Sequence, residues 1–218
     1  RLVDGRPYFT MKLVEGETLA ERLNGRSAPT DRQMEMVRVF AQVCRAAAHS
    51  HARGVIHRDL KPSNVMVGAF GEVQVMDWGL AKELSEREDT DFAPSGELAE
   101  PPGPDQLRGP TGTTSEQHTR PGAVMGTFHY MPPEQARGEV GLLDRRCDVF
   151  SLGAILCEVL TGAPPHRGAG AAILHQAANG DLADALARLD GCGADEELVR
   201  LAKACLASDP ERRPPDAG

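Results

Sequence analysis

Lysine is scarce in this sequence: Lys12, Lys61, Lys82 and Lys203 stand among 24 basic side chains, so arginine carries nearly all the positive charge. Positive charge is itself in deficit, with 32 acids and a formal net charge of −8, which argues against a dedicated nucleic-acid binder. No apolar run reaches the length of a membrane span and no secretory signal opens the chain. The expectation is a cytoplasmic stretch without a membrane segment; an anchor elsewhere in a parent protein is left open. The five cysteines (Cys44, Cys147, Cys157, Cys192, Cys205) are odd in number and lack metal-ligand spacing. They read as small core residues of a reducing compartment. Internal repeats are absent. The first residue is Arg1 rather than Met, so a piece of a longer protein is expected, and its 218 residues suffice for one sizeable core.

Periodicity organises what is there. Residues 1–14 suggest two short strands around the Asp4-Gly5 turn signal. From Asp31 to Arg53, Met34, Val37, Phe40, Ala41, Cys44, Ala47, Ala48 and His51 recur at helical spacing, with Thr30 and Asp31 as N-cap candidates and Gly54 as C-cap. Val65–Val67 and Val73–Met76 read as strands joined by a turn through Gly68 and Gly71. A second helix is expected from about Asp148 to Thr161, closed by Gly162, and further helices over roughly 169–178 and 194–207. The pattern is mainly helical with a few short hairpins.

Residues 83–118 differ from the rest. Nine acids stand against two bases, a net of −7, so this window holds nearly all of the chain's excess charge. Five prolines, four glycines and seven Ser/Thr fill the same window. Such a composition buries too little surface to offset chain entropy, so a flexible acidic insertion is expected, either regulatory or without a specific role.

The chemistry concentrates in His57-Arg-Asp-Leu-Lys-Pro-Ser-Asn64, which sets a carboxylate (Asp59), an ammonium (Lys61) and a carboxamide (Asn64) within six residues. A general base, a phosphate-contacting cation and a metal ligand are the parts a phosphoryl transfer needs. The run matches the catalytic loop of eukaryotic-type protein kinases at every fixed position, and the lysine two places after Asp59 resembles the serine/threonine branch. Asp77-Trp78-Gly79, thirteen residues beyond Asn64, resembles the kinase Asp-Phe-Gly element with Trp for Phe. Gly126-Thr127 through Pro132-Pro133-Glu134 resembles the end of an activation segment, Asp148-Val-Phe-Ser-Leu-Gly153 the start of the central helix, and Asp209-Pro-Glu-Arg-Arg213-Pro214 the final element.

Together these motifs resemble the eukaryotic-like (Hanks-type) serine/threonine protein kinases of bacteria. The resemblance implies a protein-kinase-like α+β fold: residues 1–16 as the last small-lobe strands and hinge, residues 17–218 as a mainly α-helical C-lobe with short β-hairpins, the N-lobe largely missing. It implies Asp59 as base, Lys61 on the γ-phosphoryl, Asn64 and Asp77 on Mg²⁺, and the backbone of Lys12 and Val14 with Met66 around the adenine of ATP. The substrate would be a protein Ser/Thr hydroxyl. It further implies a Trp78–His57 contact, a buried Glu134–Arg213 pair, Asp148 accepting from catalytic-loop N–H groups, and Thr127 bonded to Asp59 and Lys61. Arg58 would meet a phosphate on the activation segment, at Thr119 or within 111–115. The Gly-rich loop, strand lysine and helix glutamate of a complete kinase do not precede the hinge; Gly68-Ala-Phe-Gly71 reads as a hairpin turn, not a phosphate loop. The chain alone is therefore expected to transfer phosphate negligibly. A pseudokinase scaffold and a small-molecule kinase of related fold are the alternatives.

Overall fold

The computed structural model describes residues 15–84 and 127–218. The strands and hinge expected before Glu15, most of the acidic insertion and the 111–119 hydroxyl cluster lie outside the described residues. Its organising element is helix α4 (Arg145–Thr161), in which thirteen of seventeen residues are buried. A helix that is apolar on every side belongs at the centre of a fold, and α4 packs against α2 (Gln33–His51), α6 (Ala183–Gly191) and α7 (Glu196–Cys205). Asp144 caps its first turn by accepting from Arg146 N at 2.8 Å, so the helix starts at Arg145, three residues before the sequence places it. Gly162 ends it at φ +79°.

The remaining elements complete one side of this core. Strand β1 (Glu17–Thr18) leads into α1 (Leu19–Asn24); β1, β3 (Val65–Val67) and β4 (Val73–Val75) form an antiparallel sheet in the order β1-β3-β4. Strands β2 (Val55–Ile56) and β5 (Lys82–Glu83) pair separately, so the first residue of the acidic window belongs to a sheet. Short α3 (Pro133–Ala136) and α5 (Ala171–Asn179) pack together below. The main core gathers Leu19, Met36, Val43, Phe150, Ile155 and Leu160; a smaller one joins Ile56, Leu143 and Cys147, with Leu84 against it. The architecture is predominantly helical with few, short strands, and no helix among the described residues is long and apolar enough to cross a membrane.

Two expectations need correction. Helix α2 starts at Gln33 with Arg32, at φ +51°, as its uncapped N-cap; the Asp31 carboxylate instead accepts from Ser27 N and Ala28 N, closing the preceding turn. Met34 is exposed, whereas Met36, Val39 and Val43 are buried. Three elements, α4, β4 and β2, pack on α2, so its buried surface is wider than a single stripe. The Gly68–Gly71 segment is a hairpin turn as expected, closed by Gly68 N to Glu72 O at 2.9 Å and Gly71 N to Gly68 O at 3.1 Å. The cysteines are free, and Cys147, Cys157 and Cys205 are buried. Burial pushes the Cys44 thiol up to about 12 and that of Cys205 to about 11, the behaviour of packing groups rather than nucleophiles.

Gly153 sets the distance between α4 and α7: a Cβ there would lie 2.5 Å from Cys205 Cβ and 3.2 Å from Leu206 N. Gly153→Ala is expected to destabilise the fold by about 1–3 kcal/mol through overpacking, read as a lower urea midpoint.

His166 makes the core pH-sensitive. It is fully buried and stacks on Phe150 at 6.1 Å and 18°. Its ring nitrogens face the backbone of Asp181 and Met131 in geometry too poor for full hydrogen bonds. Burial, reinforced by nearby His129 and partly opposed by Asp181 and Met131, lowers its pKa to about 4. The unfolded chain then binds a proton that the folded one refuses between the ordinary value near 6.5 and about 4. The stabilisation is complete above 6.5 and falls as the pH drops through this window, by about 3 kcal/mol in all. Thermal melts from pH 8 to 4 should show this loss in the native protein and a shallower one in His166→Phe.

Candidate active site

The loop from His57 to Asn64 is held mainly through its backbone. Asp148, buried in the first turn of α4, accepts from His57 N at 2.7 Å and Arg58 N at 2.8 Å, while His51 at the end of α2 bonds its Oδ2 at 2.9 Å. Arg58 sits at φ +67°, a conformation that costs a non-glycine residue of order 1 kcal/mol or more. The charge-assisted bond to its N–H offsets that cost, and Gln135 Nε2 donates to its carbonyl at 2.9 Å. Leu60 is buried in the main core, and buried Pro62 opens the 3-10 turn of residues 62–64. The loop alternates between side chains sunk in the core and side chains left for chemistry.

Asp59, Lys61 and Asn64 come together. Asp59 Oδ2 accepts from Lys61 Nζ at 2.7 Å and from Asn64 Nδ2 at 3.1 Å. Asn64 Nδ2 also donates to Asp59 O at 2.9 Å, which commits the amide nitrogen to the loop and leaves Oδ1 as the amide's acceptor atom. The Asp59 carboxylate is thus a fixed acceptor beside a cation, at the edge of the buried region with 9 % exposure. Thr127 opens the 3-10 turn of residues 127–130.

The second motif is tied to the first. Met76 N donates to Asn64 O at 2.8 Å, and His57 Nε2 meets Met76 O at 2.9 Å. Asp59 N donates to His57 Nδ1 at 3.2 Å, which assigns the imidazole proton to Nε2. Trp78 packs on His57 with ring centroids 4.5 Å apart and planes tilted by 56°, the contact that the family resemblance implies. Asp77 is exposed at φ +58°, and its carboxylate makes no hydrogen bond among the described residues. Its Oδ1 lies 3.3 Å from where a Cβ on Gly79 would stand, so that glycine gives the carboxylate its room. Asn64 and Asp77 thus offer hard oxygen donors of the kind magnesium prefers. Among the described residues no cluster of three His, Cys, Asp or Glu could hold a metal; an ion here would need substrate or water oxygens as well.

Met66 occupies the middle of β3, half-buried, on the face opposite buried Val65 and Val67. Lys12 and Val14 lie outside the described residues. Arg58 Nε donates to Leu80 O, at the base of the segment expected to carry its phosphate.

Several supporting residues carry little signal in the sequence. Tyr130 donates to Glu158 Oε2 at 2.6 Å and its carbonyl accepts from Ser151 Oγ at 3.0 Å, fastening the 127–130 turn to α4. Burial raises the Glu158 carboxyl above its ordinary range against the opposing Tyr130 bond and Arg26 charge, and burial with the Glu158 charge raises the Tyr130 phenol. Arg213 meets Glu134 through two bonds of 2.7 and 2.9 Å, both side chains almost wholly buried. Its remaining donors reach the carbonyls of Ala207, Arg146 and Ser208.

The chain matches the protein kinase domain model over residues 4–216. It is 35% identical over 208 residues to the serine/threonine-protein kinase PknB of Mycobacterium tuberculosis, covering 95% of this chain and 28% of that protein. Against PknB of Mycobacterium leprae it is 34% identical over 211 residues, with the same coverage of each chain. Against the serine/threonine-protein kinase PknD of Protochlamydia amoebophila it is 35% identical over 170 residues, covering 73% of this chain and 16% of the other. The chain spans less than a third of the length of these relatives.

Proposed function

The chain belongs to the Hanks-type serine/threonine protein kinases, and we propose that the protein carrying it transfers the γ-phosphoryl group of ATP to a Ser or Thr hydroxyl of a protein substrate. One observation carries the proposal: Asp59 is held between Lys61 and Asn64, while the Asp77 carboxylate stands exposed one residue beyond the Met76–Asn64 backbone bond. In this mechanism Asp59 accepts a hydrogen bond from the substrate hydroxyl and takes its proton as the new P–O bond forms. Lys61 neutralises charge on the transferring group, and its bond to Asp59 keeps cation and base in register. Asn64 and Asp77 hold Mg²⁺, which when bound neutralises charge on the nucleotide phosphates. His57, Asp148 and the core residue Leu60 fix the loop so that little reorganisation accompanies the reaction.

Residues 1–16 supply the last small-lobe strands and the hinge, where the backbone of Lys12 and Val14 meets the adenine, and residues 17–218 form the larger lobe. Met66, on the face of β3 turned from the core, lies under the adenine ring. ATP as donor fits a cytoplasmic site. The test is phosphoamino-acid analysis after incubating the full-length protein with labelled ATP, Mg²⁺ and a generic protein substrate such as casein. Phosphoserine and phosphothreonine are expected. Nucleotide binding without label transfer would favour the scaffold reading, and label confined to a small molecule the other alternative.

A further inference from the structure

The peptide that joins Arg58 to Asp59 is gripped at both ends. Its N–H, on Asp59, donates to His57 Nδ1 at 3.2 Å, and its carbonyl, on Arg58, accepts from Gln135 Nε2 at 2.9 Å. Asp148 holds the two N–H groups before it, of His57 and Arg58, but a carboxylate has no donor for a carbonyl. The grip matters because Arg58 stands at φ +67°, in the left-handed region that a side chain with a Cβ disfavours. Gln135 makes its bond from α3, where its neighbour Glu134 is fixed by two bonds to Arg213 and its own N–H donates to Pro132 O at 3.1 Å. The other half of the amide is idle: Oε1 is buried and has no hydrogen-bond partner among the described residues. A buried unpaired oxygen is a cost to folding. The bond to Arg58 O therefore adds little net stability, and its use lies in direction.

We infer that Gln135 is a positioning residue for Asp59: its bond to Arg58 O sets the plane of the Arg58–Asp59 peptide, and so the direction in which the Asp59 side chain leaves the backbone. The inference rests on reading Asp59 as the base. A peptide turns as one rigid plate, so freeing its carbonyl lets ψ of Arg58 and φ of Asp59 change together. The carboxylate then swings away from Lys61 and Asn64. Loss of one net hydrogen bond shifts the ratio of held to displaced plates about 5-fold. A displaced base stands outside the narrow geometry that proton transfer needs. The nucleotide contacts assigned above do not involve this peptide, so the loss falls on kcat and not on KM for ATP.

Methionine matches glutamine in length and has neither the donor nor the idle oxygen, so Gln135→Met in the full-length protein separates positioning from folding. Its urea midpoint should stay near the native one, since one unpaired oxygen, on Arg58, replaces another. Its kcat towards casein should fall about 5-fold or more at an unchanged KM for ATP. Gln135→His, whose ring Nε2 can stand about where the amide nitrogen does, should recover part of that loss. Amide hydrogen exchange gives a reading independent of turnover: residues 57–60 should exchange about 5-fold faster in Gln135→Met, with α4 unchanged. A native kcat in Gln135→Met, or native exchange over 57–60, overturns the inference. A lowered urea midpoint with exchange quickened throughout also overturns it, because Gln135 is then a structural residue. A native protein that transfers no phosphate refutes the reading of Asp59 as base instead, and exchange over 57–60 still tests the grip on the peptide.

Discussion

Asp59→Asn is expected to lower kcat by about 10²–10⁴-fold, the range general-base catalysis contributes, while leaving affinity for Mg²⁺-ATP and the folded structure largely intact. Asparagine has the same shape and retains an amide oxygen that can accept from Lys61 Nζ or Asn64 Nδ2, which share Asp59 Oδ2 in the native protein. It has no lone pair basic enough to take a hydroxyl proton. The variant separates chemistry from binding: steady-state kinetics should show the loss in kcat, nucleotide calorimetry little change, and circular dichroism a native spectrum. Retained turnover would remove Asp59 from the role of base. A collapse of nucleotide affinity would recast it as a binding residue.

Arg213→Met should be the most destabilising of the substitutions considered, costing about 3–5 kcal/mol because Glu134 is left as a buried charge without its partner. The pair is nearly inaccessible, with side-chain exposures of 0% and 4%. Arg213 also lies over Phe150, 4.9 Å from its centroid, and supports three carbonyls. Lysine should rescue only partly, since an ammonium cannot reproduce the planar fork. The double variant Glu134→Leu/Arg213→Met should recover much of the loss, because an apolar pair removes the desolvation cost of both charges. Urea denaturation of the two single variants and the double gives the coupling directly; additive losses would show that the two residues act independently.

What the sequence makes legible is what is local. The base, cation and carboxamide lie within six residues, so the contacts of Asp59, Lys61 and Asn64 follow from the loop itself. Strands β3 and β4 are equally readable, because two valine-rich runs flank a glycine-marked turn. Contacts made across long separations are legible only through family resemblance: Glu134 with Arg213 and Asp148 with the loop backbone were expected on that ground alone. The His51–Asp148 bond was not expected, since His51 counts simply as an inward position on α2. The Tyr130–Glu158 bond is hidden for a similar reason, because a glutamate near a helix end ordinarily belongs to solvent. Helix α1 carries a local signal in its sequence, since Thr18 and Glu21 form a capping box, with Glu21 N donating to Thr18 Oγ1 at 3.1 Å and Thr18 N to Glu21 Oε2 at 2.7 Å. Helix α6 has only Ala185 and Leu189 buried, too sparse a pattern to mark a face.

The support of the catalytic loop by Asp148 has a consequence for how such a protein can diverge. The loop's course is set mainly by bonds to main-chain N–H groups and by buried Leu60 and Pro62, and of the side chains at 59, 61 and 64 only Asn64 bonds the loop backbone. Positions 59 and 61 can therefore drift with less penalty to folding than 64, and a lineage can abandon phosphoryl transfer while its descendants still assemble the same pocket. Inherited shape and inherited chemistry are separable here, and Asp148 lies on the side of shape.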